Sequence, residues 1–219
     1  MNLFLTLAFL FLIGSVLGWG LEVIFRRFFS AHRWVNPGFL VGPYLPLYGS
    51  SLCVLYLLAM LESLMPVENP LLKKIMLFVV MALAITALEY VAGLIFIRGM
   101  KIKLWDYSDR WGNIQGIICP LFTFFWMVLS AVYYFLIHPH ILNALHWLAE
   151  NLAFSFGIGF FYGIFLIDVG YSTHLMVKIR EFAKETNIVV RVEELREEMG
   201  LNEPFLVRYG TYIKGIVTE

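Results

Sequence analysis

The chain has 219 residues, of which 60% are apolar and only 15% charged, and its sixteen Lys and Arg balance sixteen Asp and Glu. A soluble domain averages about 45–50% apolar and about 25% charged, so this composition, with a mean hydropathy of +0.78, exceeds what one water-soluble core of that size can hold. It excludes a disordered chain, a collagen and a nucleic-acid binder, because net charge is zero and no basic tract dominates.

Five apolar stretches reach the length of about 20 residues that a helix needs to cross a bilayer. They cover residues 3–25, 43–65, 71–97, 114–137 and 152–177. The first has no basic residue ahead of it and no small-residue cleavage site, and Arg26-Arg27 follow it, so it reads as a retained helix rather than a signal peptide. Pro66 and Pro70 bracket the turn between the second and third spans. His138-Pro139-His140 is expected to close the fourth. Trp105, Tyr107, Trp111, Trp147 and Tyr171 include rings suited to headgroup depth. Residues 178–219 read as a short cytosolic tail, helical over 190–199 and stopped by Gly200. Cys53 and Cys119 both lie in apolar stretches and make no disulfide framework.

Orientation follows from the basic residues. With the N-terminus outside, fourteen of the sixteen Lys and Arg fall on inner segments and only Lys73 and Lys74 outside. The fold class is therefore an all-α, polytopic bundle of five transmembrane helices, N-out and C-in. Residues 1–177 form its membrane domain.

One internal repeat stands out. The block from Trp34 through Asn36 to Pro43 aligns without a gap to the block from Trp111 through Asn113 to Pro120, offset by 77 residues. Each block follows a span carrying one acid, Glu22 or Glu89. The repeat units are about 1–66 and 71–137, with 152–177 as an extra helix. Two-span units of this kind enter the membrane with the same polarity, so they form a parallel repeat.

An acid at the centre of a membrane helix costs about 2.5–3.5 kcal/mol on insertion scales. Glu22 lies near the inner end of the first span, where it can also pair with Arg26. Glu89 lies about 12 Å and Asp168 about 15 Å inside the basic ends of their spans, at the helical rise per residue. All three fall in the cytosolic half. Each can serve a function there, or simply bond a neighbouring helix. Tyr90 directly follows Glu89.

From Asn36 to Gly49 three prolines and three glycines fall within fourteen residues, so no unbroken helix forms there, and the segment also carries Tyr44 and Tyr48. A bent or re-entrant entry to the second span is expected, with amide groups and a positive dipole end facing inward. Trp105-Asp106-Tyr107-Ser108 reads either as an interfacial loop with a helix cap or as a headgroup- or proton-positioning element. His138, His140 and His146 lack the Cys or paired acids of a metal site. There is no G-x-x-x-x-G-K-S/T phosphate loop, H-E-x-x-H, G-x-S-x-G or C-x-x-C. No cofactor is expected.

Together Glu22, Asn36 to Gly49, Glu89-Tyr90, Trp105 to Ser108, and Gly112-Asn113 with Gly116 resemble the bacterial membrane proteins of the CmpB type, named as ABC-transporter permeases. Pro37 stands where that pattern leads one to expect Arg, so no anion contact is carried over to it. The resemblance implies a multi-pass protein of the bacterial cytoplasmic membrane, working with a separate ATPase subunit.

The leading expectation is a transporter-like or permease-like protein. Glu22, Glu89 and Asp168 would take a proton, a cation or a cationic group, and Asn36 and Asn113 an anionic one. Tyr44, Tyr48, Tyr90, Asp106 and Tyr107 complete the candidate site. Membrane lipids and a second copy of the chain are the other expected partners. Two alternatives stay open: an enzyme acting on a lipid headgroup with Glu89 or Asp106 as base, and an assembly partner whose acids only bond other helices.

Overall fold

In a computed structural model of the chain, residues 2–30, 32–100, 102–186 and 190–191 are described. The fold is all-α, with α1 at Leu3–Phe25, α2 at Pro46–Leu61, α3 at Pro70–Leu94, α4 at Pro120–Val132, α5 at His138–Glu150 and α6 at Ser155–Thr186. Five stretches are long and apolar enough to cross a membrane: Leu3–Phe29, Pro46–Leu64, Pro70–Arg98, Pro120–Glu150 and Ser155–His174. Proline opens α2, α3 and α4, a position where its missing amide hydrogen has no helical partner to lose. The Asn69 carboxamide oxygen adds a cap on α3, accepting from the amides of Leu71 and Leu72.

The fourth span departs from the expectation at both ends. Its helix begins at Pro120, while Ile114–Cys119 forms a turn closed by backbone pairing of Ile114 with Ile118. At the other end His138-Pro139-His140 does not close it. A π turn over Tyr133–Ile137 leads from α4 directly into α5, and Pro139 sits in the first turn of α5. The widened turn accommodates the ring, so Pro139 redirects the helix instead of ending it. Of the helix expected over 190–199, only Val190 and Arg191 are described, and these are extended and paired with Ile102 and Lys103. The rest lies outside the described residues.

Two kinds of packing set the bundle. Leu10, Leu55, Tyr56, Ala59, Leu77, Met81, Ile85, Tyr133, Ile141 and Leu145 form one apolar core that joins α1, α2, α3, the π turn and α5. α1 and α2 meet instead through small residues: a Cβ on Gly18 would lie 2.2 Å from the Tyr48 Cβ, and one on Gly49 would lie 2.5 Å from the Phe11 carbonyl oxygen. Close approach at glycine is how helices gain van der Waals contact where lipid removes the hydrophobic drive. α6 lies beside α1 in the same direction, with Tyr162 donating to the Ala8 carbonyl at 3.1 Å and Phe165 edge-on to Phe11. Its outer face is apolar and open, with Phe156 and Ile167 among the exposed residues. Such a surface suits hydrocarbon as solvent.

Candidate functional site: a buried acid cluster at one end of the bundle

The turns 34–45 and 105–119 lie at the same end of the bundle as Glu22, Glu89 and Asp168. Glu89 is 3% exposed on α3. Its Oε1 accepts from the Tyr107 hydroxyl at 3.1 Å and its Oε2 from the Trp126 indole N–H at 3.0 Å. Tyr107 is delivered by the second turn. Its ring stacks on Phe122 with centroids 4.2 Å apart, and Trp105 donates to the Ile117 carbonyl at 2.8 Å. Gly93, one helical turn from Glu89, leaves the space that Ile117 fills; a Cβ there would lie 2.3 Å from the Ile117 Cγ2. Burial, and then the neighbouring Glu89, push the Tyr107 hydroxyl far above the usual phenol range, so it remains a phenol at any physiological pH.

Glu22 belongs to the same cluster. Oε1 accepts from Arg26 Nε at 2.9 Å and Oε2 from the Tyr48 hydroxyl at 2.9 Å. The Tyr48 ring lies 5.7 Å from that of Trp126, so the two acids sit on either side of an aromatic pair. Glu22, Tyr48, Glu89 and Tyr107 are thus brought together, with Trp126 and Arg26 completing the group.

Asp168 does a different thing. Its carboxylate accepts from the amides of Val41 at 3.1 Å and Gly42 at 2.7 Å, the Tyr44 hydroxyl at 2.6 Å and the Ser172 hydroxyl at 2.8 Å. The inward amides of the first turn therefore do meet an anion, and that anion is α6's own carboxylate. Burial first, then the bond to Asp168 and its charge, raise the Tyr44 hydroxyl well above the phenol range, which keeps it a donor.

Asn36, Asp106 and Asn113 organise their turns. The Asn36 Oδ1 accepts from Trp19 Nε1 at 2.6 Å, and its Nδ2 donates to the Val41 carbonyl at 3.0 Å. Asn113 donates to the Ser108 and Arg110 carbonyls and accepts from the Gly116 amide. Asp106 accepts from the Ser108 hydroxyl at 2.5 Å and from Lys103 Nζ at 3.0 Å. Burial pushes the Asp106 carboxyl up, but the bonds from Ser108 and Lys103 outweigh it and hold the group down at about 2. Tyr90 makes none of these bonds.

The two aligned blocks share a backbone feature. Gly38 and Gln115, at matching positions, have φ of +81° and +56°, and two residues later Leu40 and Ile117 are each 1% exposed. Their asparagines bond differently: Nδ2 of Asn36 donates forward along its turn, and Nδ2 of Asn113 donates backward.

Sequence reasoning missed Trp126, Trp19 and Ser172. Trp19 precedes Glu22 by three residues and Ser172 follows Asp168 by four, so each shares a helix face with its acid. Trp126 carries an N–H that needs a partner once buried in mid-span, and that was its available signal.

No curated protein and no solved structure gives a significant match to this chain. A family model described as "Putative ABC-transporter type IV" matches residues 9–173, which is most of the chain, and the protein belongs to that family.

Proposed function

We propose that this protein is a small membrane transport protein in which Glu89 binds and releases a proton. Membership of a family described as ABC-transporter type supports the coarse reading, a transporter-like multi-pass membrane protein. The observation that carries the finer one is the company Glu89 keeps. Among the described residues no Lys or Arg pairs with it, and its two partners are a phenol and an indole. Ionised, the carboxylate accepts from both. Protonated on Oε1, it donates to the Tyr107 oxygen once the phenol hydrogen has turned away, and the Trp126 bond to Oε2 is unchanged. Both states are satisfied, and only one hydroxyl rotates between them. A metal ion has less to hold it, because an indole N–H has no lone pair to offer. No group of three or more His, Cys, Asp and Glu able to hold a metal ion occurs among the described residues.

Glu22, paired with Arg26 and reached by Tyr48, is the next carboxylate along the proposed route. Asp168, Tyr44, Asn36, Asp106 and Asn113 fix the turns that wall the cluster. By the distribution of Lys and Arg this end faces the cytosol, and the resemblance to bacterial membrane proteins supports the bacterial cytoplasmic membrane as its location. A separate ATPase subunit and a second copy of the chain are the proposed partners. Mass spectrometry of protein purified gently from native membranes checks both.

The lipid-enzyme reading has weaker support. Asp106 is committed to Ser108 and Lys103, and Glu89 is almost fully buried. A groove of about 450 Å³ beside α3 and α4, lined by residues such as Leu83, Ile118 and Phe124, can seat an acyl chain, but no acid or base lines it.

The test uses full-length protein in sealed vesicles with a pH-sensitive dye inside and the membrane potential clamped by potassium and valinomycin. After an external acid step, wild-type vesicles should acidify faster than protein-free ones. Glu89→Gln should return the rate to the protein-free value, since Gln keeps the bonds to Trp126 and Tyr107 but carries no exchangeable charge. A wild-type rate in that variant would overturn the assignment.

A further inference from the structure

At the opposite end of the bundle lies a second polar cluster to which neither the acid site nor its turns contribute. Glu62, just past the end of α2, accepts from the Tyr134 hydroxyl. The Tyr133 hydroxyl and His138 Nδ1 share a hydrogen bond of 2.8 Å, and Tyr133 is 2% exposed. The His138 ring is parallel to that of Tyr134, within 4°, and lies 6.0 Å from that of Tyr56. Lys74, in the first turns of α3, stands 5.7 Å over the Tyr134 ring and 5.2 Å over Phe135. The charged groups facing His138 and its neighbours are therefore Glu62 and Lys74. The neutral ones are Tyr56, Tyr133, Tyr134 and, beside Tyr133, Cys53.

This cluster is in line with the first. Trp126, Ser130 and Tyr133 occupy one face of α4 and its continuation at i, i+4 and i+7, so one stripe, half-buried at Trp126 and buried at Ser130 and Tyr133, runs from the Glu89 partner to the His138 partner. It spans about 10 Å at the helical rise. Ser130, 1% exposed, donates to the Trp126 carbonyl at 2.8 Å. Beside the stripe stand Leu55, Met81 and Ile85 of the apolar core, the same cluster to which Tyr133 belongs.

We propose that His138, with Tyr133, Tyr134 and Glu62, is a second proton-binding site and forms the far terminal of the route that has Glu89 at its other end. The proposal rests on the proton reading of Glu89. With the neutral ring carrying its hydrogen on Nδ1, that N–H donates to the Tyr133 oxygen, and a proton arriving on the free Nε2 makes the imidazolium with this bond kept. Glu62, held by Tyr134, supplies the countercharge.

The same vesicle assay separates this inference from the reading beneath it. His138→Gln should lower proton entry to the protein-free rate, as Glu89→Gln does. Tyr133→Phe, which removes one oxygen and keeps the ring, should slow it severalfold. A wild-type rate in His138→Gln, with Glu89→Gln at the protein-free rate, overturns the second site and leaves the first standing. A wild-type rate in Glu89→Gln overturns the reading of Glu89 and this inference with it. Wild-type vesicles no faster than empty ones overturn both. If size exclusion shows that His138→Gln fails to fold, Tyr133→Phe decides alone: a wild-type rate there overturns the site, and a reduced rate upholds it.

Discussion

Asp168 and Glu89 are both acids set within helices long and apolar enough to cross a membrane, and they are solvated by the protein in opposite ways. Asp168 accepts from four donors, two of which are backbone amides of Val41 and Gly42. Each of its oxygens already accepts twice, Oδ1 from Val41 and Ser172 and Oδ2 from Gly42 and Tyr44, so a proton added to Asp168 must compete with donors already in place. Glu89 accepts from two side chains, one of which is a phenol that can turn from donor to acceptor. What separates the two acids is therefore the number of donors committed to the ionised form, four against two. Depth alone does not separate them.

The comparison breaks most visibly on removal of Asp168. Asp168→Ala leaves the Val41 and Gly42 amides and two hydroxyls without their acceptor, and each buried unsatisfied group costs about 1–3 kcal/mol. We expect a loss of roughly 3 kcal/mol or more, read as the midpoint of denaturant unfolding in detergent. Glu89→Gln should stay within about 1 kcal/mol of wild type in the same measurement, because both of its partners keep a bond. Equal losses in the two variants would abolish the distinction.

A pair of tyrosines sharpens it at smaller amplitude. Tyr44→Phe removes one of four donors to Asp168 and should cost about 1–2 kcal/mol of stability. Tyr107→Phe removes the reversible donor of Glu89 and should cost more in proton entry than in stability. The Tyr107 ring keeps its stacking on Phe122 in its variant, and the Tyr44 ring its edge-on contacts with Phe161 and Phe165 in the other. Unfolding midpoints and vesicle rates on the two variants give the contrast directly; the reverse pattern would exchange the roles of the two acids.

The spans themselves were legible, because apolar runs of helix length have few other readings in so hydrophobic a chain. The start of α4 was not. Ile114, Ile117, Ile118 and Cys119 are as apolar as the helix that follows, and only the positive φ of Gly112, Gln115 and Gly116 makes them a turn. Hydropathy cannot tell a buried turn from a membrane helix. Pro139 misled for a related reason: as a helix breaker it marks an end, but in a first turn it is tolerated, and the π turn before it absorbed the change of direction. The acids were visible one by one, since each breaks an apolar run. Their partners were not, because Tyr107 is reached across a turn and Trp126 across two helices, and spacing along the chain carries no record of either contact. The amides of the 36–42 turn were expected to hold an anionic ligand, and a residue more than a hundred positions away occupies them instead.

The smallest effect belongs to Asp106, which carries neither the bundle nor the proton. Its carboxylate ties Ser108 and Lys103 together and so steadies the turn that presents Tyr107. Asp106→Asn keeps one acceptor and loses the charge, and the site is partly open to solvent, so the cost should be below about 1 kcal/mol. Its pH dependence has a definite sign. The folded carboxyl lies at about 2, below the value of about 3.9 for an unfolded Asp, so the stabilisation is fully present above about pH 4 and is lost as pH falls through 2. Wild type and Asp106→Asn should then differ by a constant amount from pH 8 to pH 5 in detergent unfolding. A gap that closes within that range would mean that the bonds from Ser108 and Lys103 do not hold the carboxylate, and that the turn reaches Glu89 by other means.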